Sequence, residues 1–106
     1  MNVVILVTAS GKEEAGIIAN KLVEEKLAAC VNILSNVESV FRWEGKVDRA
    51  NELLLIIKSR EENVAEIIAT VKSLHSYEVP EIIALPITAG FEPYLKWIDE
   101  SVRKPR

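Results

Sequence analysis

At 106 residues and 49% hydrophobic composition, the chain has room for one domain with one core and is too apolar to be disordered. Its formal charge of −3 and pI near 5.2 lack the basic balance that nucleic-acid binders need to neutralise phosphate. No apolar run reaches the roughly 20 residues that span a bilayer, the first apolar run does not fit a signal peptide, and one cysteine, Cys30, closes no internal disulfide, so the expectation is a cytosolic protein with neither nucleic-acid nor membrane partners.

Val3 to Val7 is a short β-branched run that predicts a buried strand. Ser10-Gly11-Lys12-Glu13 matches a capping box. Behind it Ala15, Ile18, Ala19, Leu22 and Val23 recur at helical spacing to about Lys26. Cys30 to Trp43 predicts a long strand whose second half alternates, with Val37, Ser39, Phe41 and Trp43 on one face. Glu44-Gly45 is a hairpin turn, and Lys46 to Lys58 is the return strand. Ser59-Arg60-Glu61-Glu62 reads as a second capping box, ahead of the stripe Val64, Ile67, Ile68, Val71 and Leu74. Pro80 breaks that helix, and Ile82 to Ile87 predicts a fourth strand. Phe91, Tyr94, Leu95, Ile98 and Val102 mark a last helix with Pro93 in its first turn. Arg103 to Arg106 reads as a frayed polar tail.

The order β-α-β-β-α-β with an extra C-terminal helix predicts an α+β, ferredoxin-like sandwich over residues 1–106 as a single domain. Right-handed crossovers put both long helices on one face of a four-stranded sheet. Yet Val3-Val4-Ile5-Leu6-Val7, Leu53-Leu54-Leu55-Ile56-Ile57 and Ile82-Ile83-Ala84-Leu85 are apolar without alternation, as strands buried on both faces are. The short third helix covers part of the second face at most. An oligomer that buries its sheet faces together is therefore expected.

Four motifs occur in order: Leu27-Ala28-Ala29-Cys30-Val31-Asn32, Trp43-Glu44-Gly45-Lys46, Leu74-His75-Ser76-Tyr77-Glu78-Val79-Pro80-Glu81-Ile82, and Tyr94-Leu95-Lys96-Trp97-Ile98. With them the chain resembles the CutA family of divalent-cation tolerance proteins from Val3 to about Val102. The resemblance implies a PII-like homotrimer, a role in copper and other divalent-metal tolerance, and no established catalytic reaction. Two departures stand out. Ser76 occupies the place where the family usually has proline, and Val7 and Leu74 stand where relatives proposed to bind copper carry cysteine and histidine. Only His75 remains of that set.

His75 can ligate a divalent ion through neutral imidazole. Against this stands its position at a helix C-terminus, where the macrodipole favours histidine with no metal. A lone histidine is a weak metal signal, and the plainer reading carries more weight. Cys30 can serve as a soft Cu(I) ligand, but a cysteine in an apolar strand usually packs as a small hydrophobe. Trp43, Glu44, Lys46, Tyr94 and Trp97 can line a small-molecule cleft between subunits or simply pack an interface. Glu78 and Glu81 flank Pro80 as a possible carboxylate pair. No nucleophile–base pair or Gly-rich phosphate loop accompanies them, so no enzyme is expected. The expectation is a homotrimer with no required cofactor and copper or another divalent ion weakly bound at most. The alternative is a trimeric small-molecule sensor or structural adaptor. RNA recognition on this strand order needs stacking aromatics on the central strands, which are absent. Acylphosphatase chemistry needs an arginine in the loop Thr8-Ala9-Ser10-Gly11, which has none.

Overall fold

A computed structural model describes residues 1–104. Strand β1 (Asn2–Ala9) leads to helix α1 (Lys12–Glu24), then β2 (Cys30–Trp43) and β3 (Lys46–Arg60). A 3-10 turn over Glu61–Asn63 precedes α2 (Val64–Leu74), β4 (Ile82–Pro86) and α3 (Glu92–Ser101). The sheet order is β2-β3-β1-β4, with every neighbouring pair antiparallel. This is the expected ferredoxin-like α+β arrangement.

Strand pairing sorts the apolar runs into two faces. Val31, Ile57, Ile5 and Ala84 align in one row, and Leu55 and Val7 in the next. Ile5, Val7, Leu55 and Ile57 are wholly buried with Ala15, Ile18 and Leu22 of α1 and Ile67 and Val71 of α2. Each large aliphatic side chain removed from water contributes roughly 1.5–3 kcal/mol. Val23 and Ile68, at the rims of their helical stripes, stay exposed. On the opposite face Asn32, Ile56, Leu6 and Ile83 form one row, and Leu34, Leu54 and Thr8 another. Here Leu6, Leu54 and Ile56 are only half-buried, and Leu34 and Ile83 are exposed at 42% and 50%. Helix α3 packs against β1 and β3 and buries Ile98, but leaves most of this face uncovered.

Glu44 and Gly45 both take positive φ, 51° and 77°, which closes the two-residue turn with the twist a hairpin needs. Register shifts between Leu34 and Val37, so β2 carries one extra residue there, and Asn36 sits at φ 62°.

Both capping boxes need correction. Gly11 is the N-cap of α1, and Glu14, one residue beyond the expected Glu13, reaches back to the Ser10 amide and hydroxyl at 3.1 Å each. Ser59 is no cap: β3 continues through it because Asn2 pairs with Arg60, and its buried hydroxyl donates to the Leu27 carbonyl at 2.6 Å. The tail is not wholly frayed either. The Arg103 amide donates to the Lys26 carbonyl at 2.8 Å, Asn63 Nδ2 donates to the Arg103 carbonyl at 3.0 Å, and the Arg103 guanidinium pairs with Glu66. Pro105 and Arg106 of the expected frayed segment lie outside the described residues.

Residue 103 thus straps the C-terminus across the end of α1 and the start of α2. Asn63 is 1% exposed, so its amide cannot exchange this partner for bulk water. Truncation after Val102 is expected to cost about 2–3 kcal/mol, read as a lower urea midpoint at unchanged slope. Arg103→Ala, which keeps the backbone bonds, should lose less than half of that.

Candidate functional site

The corner after α2 gathers polar groups from four elements. The His75 side chain is wholly buried. The Tyr77 amide donates to its Nδ1 at 3.0 Å, so Nδ1 is the acceptor and the ring proton sits on Nε2. Nε2 then donates to the Thr8 carbonyl at 2.7 Å, at the end of β1. The Tyr77 hydroxyl donates to Glu52 Oε2 on β3 at 2.8 Å, and the rings of His75 and Tyr77 lie 4.7 Å apart. Burial, followed by the Glu52 hydrogen bond, pushes the Tyr77 hydroxyl up to about 12. The Ser76 amide donates to Glu14 Oε1 at 2.6 Å. Burial raises the Glu14 carboxyl, but hydrogen bonds from Ser10 and Ser76 outweigh it and hold the group below the ordinary glutamate range.

This geometry decides how His75 stands as a ligand. One ring nitrogen accepts a backbone proton and the other gives its proton away, so neither presents an open lone pair. Glu14 Oε2 lies 4.0 Å from Nδ1, and no group of three or more potential metal donors forms among the described residues. The side chains of this chain therefore do not fit a metal centre at His75. The ring instead ties β1 to the loop that leads into β4.

The other candidates are dispersed. Cys30 is half-buried on β2, with Lys58 Nζ 4.0 Å from its sulfur. Lys58 also bonds Asn32. Burial and the neighbouring Cys30 sulfur raise the Tyr94 hydroxyl above its ordinary range. Tyr94 and Trp97 stack on α3 with centroids 5.4 Å apart. Trp43, Glu44 and Lys46 occupy the hairpin tip, roughly 40 Å along β2 from Cys30 at the usual rise per residue. Within the chain these five residues form two separate sets. Glu78 and Glu81 are both exposed on the loop.

Two grooves accompany these elements. One, of about 600 Å³, lies beside the C-terminal strap, where Arg60 is paired with both Glu62 and Asp99. The other, of about 420 Å³, lies where the β2 bulge meets the start of α1 and has Glu52 in its wall. Sequence reasoning passed over Thr8, Glu14 and Glu52. The signal for Glu52 was a carboxylate heading five consecutive apolar residues. Nothing local marked Thr8, whose contribution is a backbone carbonyl.

The CutA1 divalent ion tolerance protein family model matches residues 3–101. The chain belongs to that family. A divalent-cation tolerance protein CutA of Archaeoglobus fulgidus is 50% identical over 98 residues, covering 92% of this chain and 95% of the relative. A chloroplastic CutA protein of Arabidopsis thaliana is 48% identical over 96% of this chain, which spans 56% of that relative's length. The solved divalent cation tolerance protein (Cut A1) of Thermus thermophilus superposes with a TM-score of 0.95 at 46% identity, covering 97% of this chain and 100% of that one. The CutA fold thus persists here with the His75 ring engaged at both nitrogens.

Glu14 offers a test of the corner. Its folded carboxyl titrates below the unfolded one, so its stabilisation is complete above about pH 4.3 and is lost as pH falls through the folded value. Glu14→Gln can accept from only one side and sets an NH2 group against the remaining donors. The variant is expected to unfold about 1–2 kcal/mol more easily at pH 7. Paired urea titrations should show this gap close as the pH is lowered to 3.

Proposed function

We propose that the protein acts in divalent-metal tolerance, with copper among the ions concerned, as a non-catalytic homotrimer in the cytosol. The observation that carries the reading is the family match over residues 3–101. The trimer is supported by the second sheet face, where Leu6, Leu34, Leu54, Ile56 and Ile83 form an apolar patch that α3 does not cover. Such a patch on a monomer would face water at a cost proportional to its area. The relatives named above are called chloroplastic in one case and cation-tolerance proteins in the others, and those names describe them alone.

Metal contact in this reading is weak. His75 is held at both nitrogens, and a donor set drawn from one subunit falls short of the three or four ligands that tight sites use. No resident cofactor is required. A second reading, a small-molecule sensor or adaptor with clefts between subunits, is favoured by the exposure of Trp43, Tyr94 and Trp97 at 53%, 41% and 45%. These aromatics sit on the hairpin tip and on α3, and only assembly can bring the two sets together.

Two measurements test the proposal. Sedimentation of the purified protein should give three subunit masses, while Ile56→Glu should give a folded monomer or an unfolded chain, because the introduced charge would be buried unpaired. A wild-type monomer at micromolar concentration would end the trimer reading. Calorimetric titration with Cu(II) and Zn(II) should find no site tighter than about micromolar, as expected of an incomplete donor set. A nanomolar site lost in His75→Ala would overturn the weak-contact reading.

A further inference from the structure

We propose that Lys58, with the Tyr94 hydroxyl and the Asn32 side chain, receives the carboxylate of a small organic acid on the sheet face that α1 and α2 leave uncovered. The inference rests on the small-molecule sensor reading, in which Tyr94 and Trp97 line a cleft, and it names the chemistry that the cleft takes.

Lys58 carries the inference. It stands opposite Cys30 of β2 and Val4 of β1, and Val4 pairs in turn with Leu85 of β4. One ammonium thus sits in a row that is otherwise apolar or weakly polar. Lys58 is half-buried and forms no ion pair among the described residues. Its side-chain contacts are Asn32 and, at 4.0 Å, the Cys30 sulfur. Neither brings the counter-charge that a carboxylate would. Arg60, two residues along the strand and on the same face, shows the contrast, because Glu62 and Asp99 both hold it. Carboxylates of the chain thus serve one cation of this face and not the other.

The groups around Lys58 suit an oxyanion. The Tyr94 hydroxyl reaches the Cys30 sulfur, so a phenol and an ammonium meet at one atom. Burial and that sulfur raise the Tyr94 hydroxyl above its ordinary range, so it is a proton donor at neutral pH. Asn32 turns Oδ1 to Lys58, and its Nδ2 donates to no described residue. Ammonium, phenol and amide are donors that bind a carboxylate, and one positive charge balances one negative. A metal ion on the same sulfur would face the ammonium as a like charge. The body of the acid has a place too. Tyr94 stacks with Trp97, and both rings are exposed on α3. An aromatic or aliphatic body gains apolar contact there while its carboxylate meets Lys58.

The test is titration of the 15N-labelled full chain with phenylacetate and with phenylacetamide, a neutral molecule of the same shape. Saturable shifts at the Tyr94 amide and the Trp97 indole are expected with phenylacetate, and affinity for the amide should be several-fold weaker. Lys58→Met removes the charge and keeps a side chain of similar length. It should weaken phenylacetate about tenfold or more, the effect of losing one charge-assisted hydrogen bond, and leave phenylacetamide unchanged. Tyr94→Phe keeps the ring and should weaken phenylacetate a few-fold. Without any ligand, Lys58→Met should raise the urea midpoint, because an apolar side chain replaces an unbalanced ammonium beside Val4. Equal affinity for the two probes, or no loss in Lys58→Met, overturns the carboxylate assignment and leaves the cleft reading standing. No saturable shift with either probe ends both. A lowered urea midpoint in Lys58→Met would assign the counter-charge of Lys58 to a second copy of the chain and also overturn the proposal.

Discussion

Along β1 and β3, consecutive side chains enter two different environments. Ile5, Val7, Leu55 and Ile57 pack beneath α1 and α2 and are wholly removed from water. Val4, Leu6, Leu54 and Ile56 are just as apolar but half-buried, because only α3 lies on their side. Two crossover helices can shield one face of a four-stranded sheet. The second face is left to α3, which at ten residues is too short to cover it. Strand identity and helix placement both bear on that imbalance. It also accounts for the run of large exposed aliphatics on β2 and β4, which would be a liability in an isolated monomer.

The His75 corner solves a different problem. After α2 the chain must turn and enter β4 through Pro80, which can neither donate a backbone bond nor follow a helical residue. The loop is fixed from three sides instead. His75 reaches β1 through Thr8, Ser76 reaches α1 through Glu14, and Tyr77 reaches β3 through Glu52. Each bond crosses to a different element, so the loop cannot shift without breaking several at once. A histidine with both nitrogens engaged and a side chain wholly buried is part of this lock.

Periodicity made most of the fold legible. The helical stripes, the alternation after Val37 and the Glu44-Gly45 turn are local patterns, and local backbone geometry follows them. The failures were non-local. Ser59 looked like a helix cap until Asn2, at the other end of the chain, held Arg60 in the sheet. Arg103 looked like tail until Lys26, Asn63 and Glu66 were found around it. The carbonyl that engages His75 Nε2 lies 67 residues away in sequence, so no local pattern shows how the ring is held. The bulge left a faint trace: the strand alternates only after Val37, and the extra residue sits just before it.

Two carboxylates beside the same loop show how differently one residue type is satisfied in two environments. Glu14 accepts at both oxygens, from two amides and a hydroxyl, and its charge is fully satisfied within the protein. Nothing further can bind it without breaking the start of α1. Glu52 is the more buried of the pair in the fold, yet among the described residues it accepts only from Tyr77. A protein needing only a packed strand end would place an apolar residue there at lower desolvation cost. The Tyr77 bond recovers part of that cost through Oε2. The hydrogen bond from Tyr77, one of the three that lock the loop, therefore also fixes Glu52 at the head of the apolar run of β3.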